Sequence, residues 1–430
     1  MNPAPARTVQ GTTGTARLLE AWRTTGRPAD LADHLDRHGP PPHPGAALIA
    51  AVEEAGLTGR GGAGFPTARK MRAVATQRRR AVVIANGMES EPASRKDQTL
   101  LAAAPHLVLD GAVLAAEAVG ADRVHLCVPR TRTAQQRELA AAIDERRAAG
   151  LDTVPVVLQG LPHGYVTSES TAPVHWLNGG SASPLGTPPR THEKGVHGRP
   201  TLIQNVETLA HLALIARHGP HWFRRAGTAD AVGTVLVTVG GAVRDPGVLE
   251  VESGTTIGAL LQQVGGPSEP LQAVLVGGYA GTWLPASRAL ALPFTRAGLA
   301  PAEAAPGAGV ITALPRDACP LTETARMLTY LAANGAQQCG PCRFGLPSVA
   351  ADFTALADGH ATPDQVERLR HRVGLLPGRG ACRHPDGAAR LAVGALTAFA
   401  DDVDHHLHRG PCRRPAVLPA PPTARIREWR

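Results

Sequence analysis

The chain has few aromatic residues, few cysteines and no long apolar run. Phe, Trp and Tyr together make 3% of its 430 residues. A membrane-spanning helix needs about 18 or more consecutive apolar residues, and the sequence has no such stretch. The N-terminus shows no basic segment followed by an apolar core, as a secretory signal would. These absences predict a soluble, cytoplasmic protein with no direct membrane insertion.

The net charge is +8, but it does not follow the pattern of a nucleic-acid-binding surface. Such surfaces combine a basic stripe with aromatic residues or a known reader motif. The clear basic run is residues 78–80, directly before an apolar segment, where we interpret it as a solvated flank. No nucleic-acid partner is predicted.

Six cysteines are too few for a disulfide framework in a chain of this length. Cys339 and Cys342 form a C-x-x-C pair, and Cys382 lies 40 residues further on. In a cytosolic chain this pattern indicates metal or redox chemistry. The spacing alone leaves open whether the three thiols hold a cluster, another metal or nothing.

The first half of the chain alternates strand and helix patterns. Strands are predicted at 81–86, 123–128 and 153–160, with one or two helices at 100–120 and a helix at 134–150. This alternation predicts βαβ units and a Rossmann-like parallel sheet of the α/β class. Ligands of such sheets bind at the carboxyl ends of the strands.

The second half changes character twice. Two β-rich runs with a short helix predict a β-grasp (ubiquitin-like) domain, and helical patterns after about residue 320, including one helix at 388–407, predict a helical bundle. The predicted organisation is a loosely ordered leader at 1–45, an α/β domain at 46–225, a β-grasp domain at 226–318, a helical bundle at 319–410 and a tail at 411–430.

The segment GLTGRGGAGFPTARK (56–70) is the most specific stretch. It has glycines at 59, 61, 62 and 64, whose backbone N–H groups can cradle phosphate or ring oxygens. It is not a dinucleotide fingerprint, since no strand directly precedes it. It is not a Walker loop either, since no Gly-Lys-Ser/Thr follows.

Three further segments suit a polar ligand. Residues 84–101 place Asn86, Glu89, Glu91 and Lys96 in one loop between a strand and a helix. HGYVTSEST follows at 163–171, and GRPTLIQNVETLAHLA follows at 198–213. The last of these ends in a helix that Asn205 can cap, and a helix N-terminus favours an anion such as a phosphate.

These segments, in this order, resemble the NADH-oxidising, FMN-carrying subunit of respiratory complex I and the diaphorase subunits of NAD-linked hydrogenases and formate dehydrogenases. The resemblance runs from about residue 50 to about residue 405. It implies an NADH dehydrogenase: hydride passes from NADH to FMN, and single electrons then pass through a [4Fe–4S] cluster to an acceptor. It also implies a ferredoxin-like [2Fe–2S] partner subunit and further electron-transfer or quinone-reducing subunits, which could attach the protein to the inner face of a membrane.

The resemblance assigns roles to individual residues. It implies catalytic roles at the nicotinamide for Phe65, Glu89 and Glu91, and it implies that Cys339, Cys342 and Cys382 are ligands of the cluster. The residues implied in cofactor binding are Gly59, Arg60, Gly61, Gly62, Gly64, Lys70, Asn86, Tyr165, Glu169, Asn205 and Thr208.

The chain departs from the family pattern at several positions. Met88 stands where the family has aspartate, and Ser170 where it has a second glutamate. Ala73 and Arg190 stand where aromatic residues hold the adenine. These changes leave NADPH open as the substrate. They also leave open a non-catalytic assembly subunit that has lost NADH binding.

Ala336 stands where the family has its first cluster cysteine. Four alternatives follow. A fourth ligand comes from Cys319, Cys412, His384 or solvent; a three-iron cluster forms; the three cysteines and His384 bind zinc; or the site is empty. The zinc alternative corresponds to an interaction protein rather than an enzyme.

Overall fold

The computed structural model describes residues 16–186 and 189–422. The first 15 residues of the predicted leader and the last eight of the predicted tail lie outside this part of the chain. The strands are β1 Ala81–Asn86, β2 Ala121–Pro129, β3 Val156–Leu161, β4 Thr201–Asn205, β5 Thr234–Gly241, β6 Gly247–Glu252, β7 Leu271–Val276, β8 Thr282–Pro285 and β9 Val310–Pro315. The helices are α1 Glu20–Thr25, α2 Leu31–His38, α3 Ala47–Ala55, α4 Thr67–Ala75, α5 Lys96–Ala103, α6 Pro105–Val119, α7 Thr133–Ala148, α8 Ala172–Leu177, α9 Val206–Arg224, α10 Ile257–Gln263, α11 Ala286–Ala289, α12 Arg296–Leu299, α13 Pro320–Ala333, α14 Leu346–Ala357, α15 Pro363–Gly374, α16 His384–Ala398 and α17 Ala400–Arg409.

The first sheet is parallel throughout, in the order β3-β2-β1-β4. Alternate side chains of β1 enter two different cores: Val83 packs with helices α6 and α9, and Ile84 packs with the cluster on the other face. A strand covered on both faces reads as a continuous apolar run. The predicted parallel sheet and α/β class are therefore confirmed.

Helices α6 and α9 pack closely at Gly111. A Cβ atom added to Gly111 would lie 1.8 Å from the carbonyl oxygen of Leu209 in α9. Because no side chain fits in that space, glycine is required for the two helix backbones to approach this closely. The position of α9 in the domain depends on this contact.

The second sheet is mixed, in the order β6-β5-β9-β7-β8. Strand β5 is parallel to β9, and the other pairings are antiparallel. Helix α10 buries Ile257, Leu260 and Leu261 in the core of this unit. The arrangement is consistent with the predicted β-grasp domain.

Helices α13–α17 form the helical end of the chain. The single helix predicted at 388–407 is wrong, since α16 ends at Ala398 and α17 begins at Ala400. Between them Phe399 leaves helical geometry (φ −120°, ψ 37°). Its ring lies 5.6 Å from that of Trp283, in the core between sheet and bundle. Burying this side chain interrupts the helix.

Both ends of the described chain are attached to the body. The backbone N–H groups of Arg17, Leu18 and Leu19 donate to Glu250, and those of Val417 and Leu418 donate to Glu323. The predicted domain limits remain predictions.

Among the described residues no single helix is long and apolar enough to cross a membrane. Helices α5 and α6 reach the required length and composition only as a pair, and the chain bends by 97° between them.

Candidate functional site

The glycine-rich loop lies on the first turn of α9. Its turn is closed by the Gly59 N–H, which donates to the Phe65 carbonyl at 2.9 Å. The Arg60 N–H donates to Thr208 Oγ1, also at 2.9 Å. A Cβ on Gly61 would lie 3.4 Å from the Cβ of Asn205. The loop therefore packs against Asn205, the N-cap of α9, and Thr208 in its first turn, two residues that the resemblance implies in cofactor binding.

Two positions of this loop have backbone conformations that favour glycine. Gly62 and Gly64 have φ of +102° and +62°, values that side chains disfavour. Phe65 follows at the surface, 45% exposed. The guanidinium of Arg69 lies 5.7 Å above its ring.

One positive side chain, that of Lys70, lies close to the start of α9. The Asn205 side chain caps the helix by accepting from the Glu207 N–H at 3.0 Å. Lys70 Nζ donates to the carbonyl of Ile203, in the middle of β4, at 2.6 Å. Burial lowers the pKa of Lys70, and the nearby Glu169 carboxylate opposes this effect. A partly buried ammonium beside a helix start is a donor set that fits an anionic phosphate.

Glu89 holds the acidic loop on α5. Its carboxylate accepts from Ser94 Oγ at 2.6 Å and from the N–H groups of Asp97 and Gln98, each at 3.0 Å. Burial would raise the pKa of Glu89, but the Arg132 guanidinium and these hydrogen bonds outweigh it and lower the pKa. Glu89 is therefore an ionised carboxylate that fixes the backbone of the loop.

Glu91 differs from Glu89 in its protonation. It accepts from Tyr165 Oη at 3.1 Å and from the Tyr279 N–H, in the mixed-sheet domain, at 3.0 Å. Burial raises the pKa of Glu91 to about 7 in spite of these hydrogen bonds. A Cβ on Gly278 would lie 2.6 Å from its carboxyl group, so the turn after β7 covers it closely. Glu91 can therefore exchange a proton near neutral pH.

A buried charge network that the sequence analysis missed connects three elements. Lys96 Nζ lies 2.7 Å from carboxylate oxygens of both Asp97 and Glu207. Asn205 Nδ2 donates to Asp97 at 2.7 Å, and Glu207 accepts from the Leu236 N–H of β5 at 2.9 Å. Burial raises the pKa of Asp97 to about 6, while Lys96 opposes it. The network joins α5, α9 and the mixed sheet directly behind the glycine loop.

The segment 163–171 contacts both the acidic loop and the helical bundle. The Tyr165 N–H donates to Asn334 Oδ1 at 3.4 Å, just after α13. The Tyr165 ring lies 5.3 Å from that of His384 at the start of α16. The Tyr165 hydroxyl is the group that donates to Glu91.

The same segment also approaches the cysteines. Asn86 Nδ2 donates to the Ser168 carbonyl at 3.1 Å. Glu169 interacts electrostatically with Lys70 on one side and with Cys382 on the other. Residues 163–171 therefore form the connection between the loop that suits an anion and the cysteine cluster.

The three predicted cysteines come together. Cys339 and Cys382 both interact electrostatically with Cys342, and Cys382 also interacts with Cys339. Cys342 is carried by a single π-helical turn, Pro341–Gly345, a feature frequent at functional sites. Burial and the neighbouring thiols raise the pKa of Cys342 to about 12. Because crowded thiols ionise readily only beside positive charge, the set fits a group of iron ions.

Ala336 supplies no ligand to these cysteines. It is buried against Val166 and Ala182, beside the connecting segment. Cys319 cannot replace it, because Cys319 lies just before α13 and Cys342 lies near Gly335, just after it. A helix of 14 residues spans about 21 Å at 1.5 Å per residue.

The predictions of Cys319 and Cys412 as the missing ligand are therefore wrong, because Cys412 lies beside Cys319. His384 remains a candidate. Its Nε2 lies 2.8 Å from the Leu331 carbonyl, and its Nδ1 is buried without a partner among the described residues.

Two residues that depart from the family pattern, Met88 and Ser170, lie in different surroundings. Met88 is fully buried in the apolar cluster with Val82 and Ile84. Ser170 is exposed and donates to Glu169 at 2.9 Å. Sequence reasoning could not foresee that residue 88 faces a core.

Fold and site together define an electron-transfer protein with a flavin-type loop and an iron–sulfur-type cysteine cluster. Residues 52–214 match the model of the Nuo51 FMN-binding domain, residues 236–278 the SLBB domain, and residues 322–406 the NADH-ubiquinone oxidoreductase-F iron-sulfur binding region. The chain belongs to the family of the F subunits of NADH-quinone oxidoreductase, which confirms the resemblance seen in the sequence.

Individual relatives span most of the chain. The F subunits of NADH-quinone oxidoreductase from Salmonella typhimurium and from Escherichia coli are each 29% identical over 372 residues, covering 83% of both chains. The crystal structure of an NAD+-reducing [NiFe]-hydrogenase in the H2-reduced state is similar with a TM-score of 0.82 and 32% identity, covering 92% of this chain and 68% of that one.

Proposed function

We propose that this chain is a flavin-dependent NADH oxidoreductase subunit that takes hydride from NADH and passes single electrons to an iron–sulfur cluster and a partner acceptor. Bound FMN supplies the chemistry, since it accepts a hydride and gives up electrons one at a time. The observation that carries the proposal is the connecting segment 163–171. Glu169 in this segment interacts with Lys70, beside the glycine loop, and with Cys382 in the cysteine cluster.

The polar groups of the loop take separate roles in this proposal. Lys70 and the first turn of α9, capped by Asn205, would hold the flavin phosphate. The glycine loop would let the flavin approach the backbone, and Phe65, which is exposed, would contact the nicotinamide. Glu91, with its pKa of about 7, holds or releases a proton beside the reacting groups.

The ionised Glu89 serves as a positioning residue for the acidic loop, because its hydrogen bonds go to Ser94 and to the start of α5.

A cluster would be held by Cys339, Cys342 and Cys382, with His384 Nδ1 as the fourth ligand in place of the thiolate missing at Ala336. The support is the orientation of the imidazole, whose Nε2 is occupied by the Leu331 carbonyl, an arrangement common for histidine ligands. In pulsed EPR of the reduced protein we expect a nitrogen coupling that His384→Ala removes. A cluster without such a coupling would have solvent or three irons instead.

Partner proteins follow from the same function. The proposed partners are a ferredoxin-like [2Fe–2S] subunit and further electron-transfer or quinone-reducing subunits. They would hold the protein in the cytoplasm or at the inner face of a membrane. Phe344, 69% exposed two residues after Cys342, supports an electron exit at this surface.

The test is the visible spectrum of anaerobically purified protein before and after NADH. Bleaching of the flavin bands is expected, with a broad shoulder from the cluster. Lys70→Met should reduce flavin content, whereas Lys194→Met, at an exposed position, should not. A colourless protein would overturn the proposal.

A second candidate is a non-catalytic assembly subunit. The burial of Met88 in an apolar cluster favours it, because an aspartate that the family has there is lost. Flavin bands that neither NADH nor NADPH bleaches would support this candidate.

A further inference from the structure

The end of α13 away from the cysteine cluster carries a second group of metal-type ligands. Cys319 Sγ, His406 Nε2 and Cys412 Sγ all lie within 4.8 Å of one another. Cys319 precedes α13, His406 lies in α17, and Cys412 lies in the segment that follows α17. Three separate parts of the chain therefore meet at one point.

The separations suit a tetrahedral ion. Zinc bound by sulfur at about 2.3 Å and by nitrogen at about 2.0 Å places neighbouring ligand atoms roughly 3.5–3.8 Å apart. The Cys319 Sγ to His406 Nε2 distance is 3.8 Å. Only small movements are needed to bring the three atoms around an ion.

The imidazole is already oriented for binding. His406 is 1% exposed, and its Nδ1 lies 2.9 Å from the Ala357 carbonyl and 3.3 Å from the Leu356 carbonyl. Because only a protonated nitrogen can donate to these carbonyls, the lone pair is on Nε2, which faces Cys319. Without an ion, Nε2 accepts from the Cys412 N–H at 3.2 Å. Histidine ligands of metals are commonly held in this way by a carbonyl on the other nitrogen.

Other contacts hold the C-terminal segment, and with it Cys412, next to Cys319. The Cys319 N–H donates to the Pro415 carbonyl at 3.0 Å, and Leu418 is buried. Arg414 pairs with Asp402 and lies within hydrogen-bonding reach of the Cys412 thiol.

We propose that Cys319, His406 and Cys412 bind a zinc ion that fastens the C-terminal segment 411–418 to the start of α13. Two thiolates and an imidazole are ligands that select zinc. Water completes the shell, or the Asp402 carboxylate does so if it leaves Arg414. The site is separate from the cluster cysteines, because α13 lies between the two sets, and it goes beyond the function proposed above.

The test uses the reduced, full-length protein. About one equivalent of zinc per chain is expected by elemental analysis, beyond any metal at the cluster. Cobalt loaded in its place should show thiolate charge-transfer and tetrahedral d–d bands. His406→Gln and Cys412→Ser should weaken cobalt binding by about 100-fold or more. His408→Gln is the matched control, since His408 is exposed on the same helix.

Two further measurements separate the alternatives. The triple variant Cys339→Ser, Cys342→Ser, Cys382→Ser should leave the cobalt spectrum unchanged. Removal of the metal by a chelator should speed tryptic cleavage after Arg413. Circular dichroism checks that each variant is folded. Cobalt bands that persist in His406→Gln, bands that need the cluster cysteines, no bands at all, or a Cys319–Cys412 disulfide in the freshly alkylated protein would each overturn the proposal.

Discussion

Buried ionisable groups occur both behind the glycine loop and at the cysteine end of the helical bundle, but their charges are balanced in different ways. Behind the loop, Lys96 lies between the carboxylates of Asp97 and Glu207, 2.7 Å from each. At the cysteine end, the thiol of Cys342 has other thiols beside it, and burial raises its pKa to about 12. The first region contains both signs of charge, whereas the second contains groups that become negative only when a cation binds.

This difference indicates what each region needs. Buried charges are tolerated when they are paired and hydrogen-bonded, so the first region can form from the polypeptide alone. Thiolates in the second region need a metal as their counter-charge, so its final arrangement depends on the ion. Three substitutions test this difference between the two regions.

Lys96→Met should have the largest effect. It leaves two buried carboxylates without their cation, and removing one partner of a buried ion pair costs about 3–5 kcal/mol. The free energy of unfolding of the flavin-free protein, measured in urea, should fall by this amount. The matched control Lys194→Met, at an exposed position, should change it by less than about 0.5 kcal/mol. Equal values for the two variants would mean that the carboxylates are already neutral.

Glu91→Gln should change how stability depends on pH. The pKa of Glu91 is raised from 4.5 to about 7 by burial, so between these pH values the folded state keeps a proton that the unfolded state loses. Wild-type stability therefore falls as pH rises through this window, whereas the glutamine does not titrate. The variant should gain about 2–3 kcal/mol relative to the wild type between pH 4.5 and pH 7.

Free energies of unfolding at a series of pH values test this prediction, and the difference between the two proteins cancels the titration of other groups. A difference that stays constant with pH would show that Glu91 does not keep its proton.

Ala336→Cys acts on the cysteine cluster and should have the smallest energetic effect of the three substitutions. A thiolate at this position can replace the His384 imidazole as the fourth ligand, and the loss of iron to a chelator should then slow by about tenfold, or about 1.4 kcal/mol of activation free energy. Ala336→Ser is the matched control, with similar size and no thiolate. Equal iron loss from both variants would mean that the new thiolate does not replace His384 as the fourth ligand, or that no cluster forms.

The sequence predicts local features of this site well and distant pairings poorly. Strand β1 lies at 81–86 as predicted, since its apolar run is buried on both faces, and Asn205 caps α9 as predicted. Lys96 and Glu207, in contrast, are 111 residues apart, and Cys319 and His406 are 87 apart. No spacing rule connects such residues, because the contact exists only after the sheets and helices have packed. The break at Phe399 has the same origin, since it depends on where Trp283 lies.

The close contact at Gly111 has a consequence for mutational data. Any side chain there would collide with the Leu209 carbonyl and displace α9, and the first turn of α9 carries the Asn205 cap and Thr208 beside the glycine loop. In a saturation scan scored by enzyme activity, Gly111 should therefore group with ligand-contacting positions, although it contacts no ligand. In such a scan, a low activity score would reflect disturbed helix packing as readily as the loss of a ligand contact.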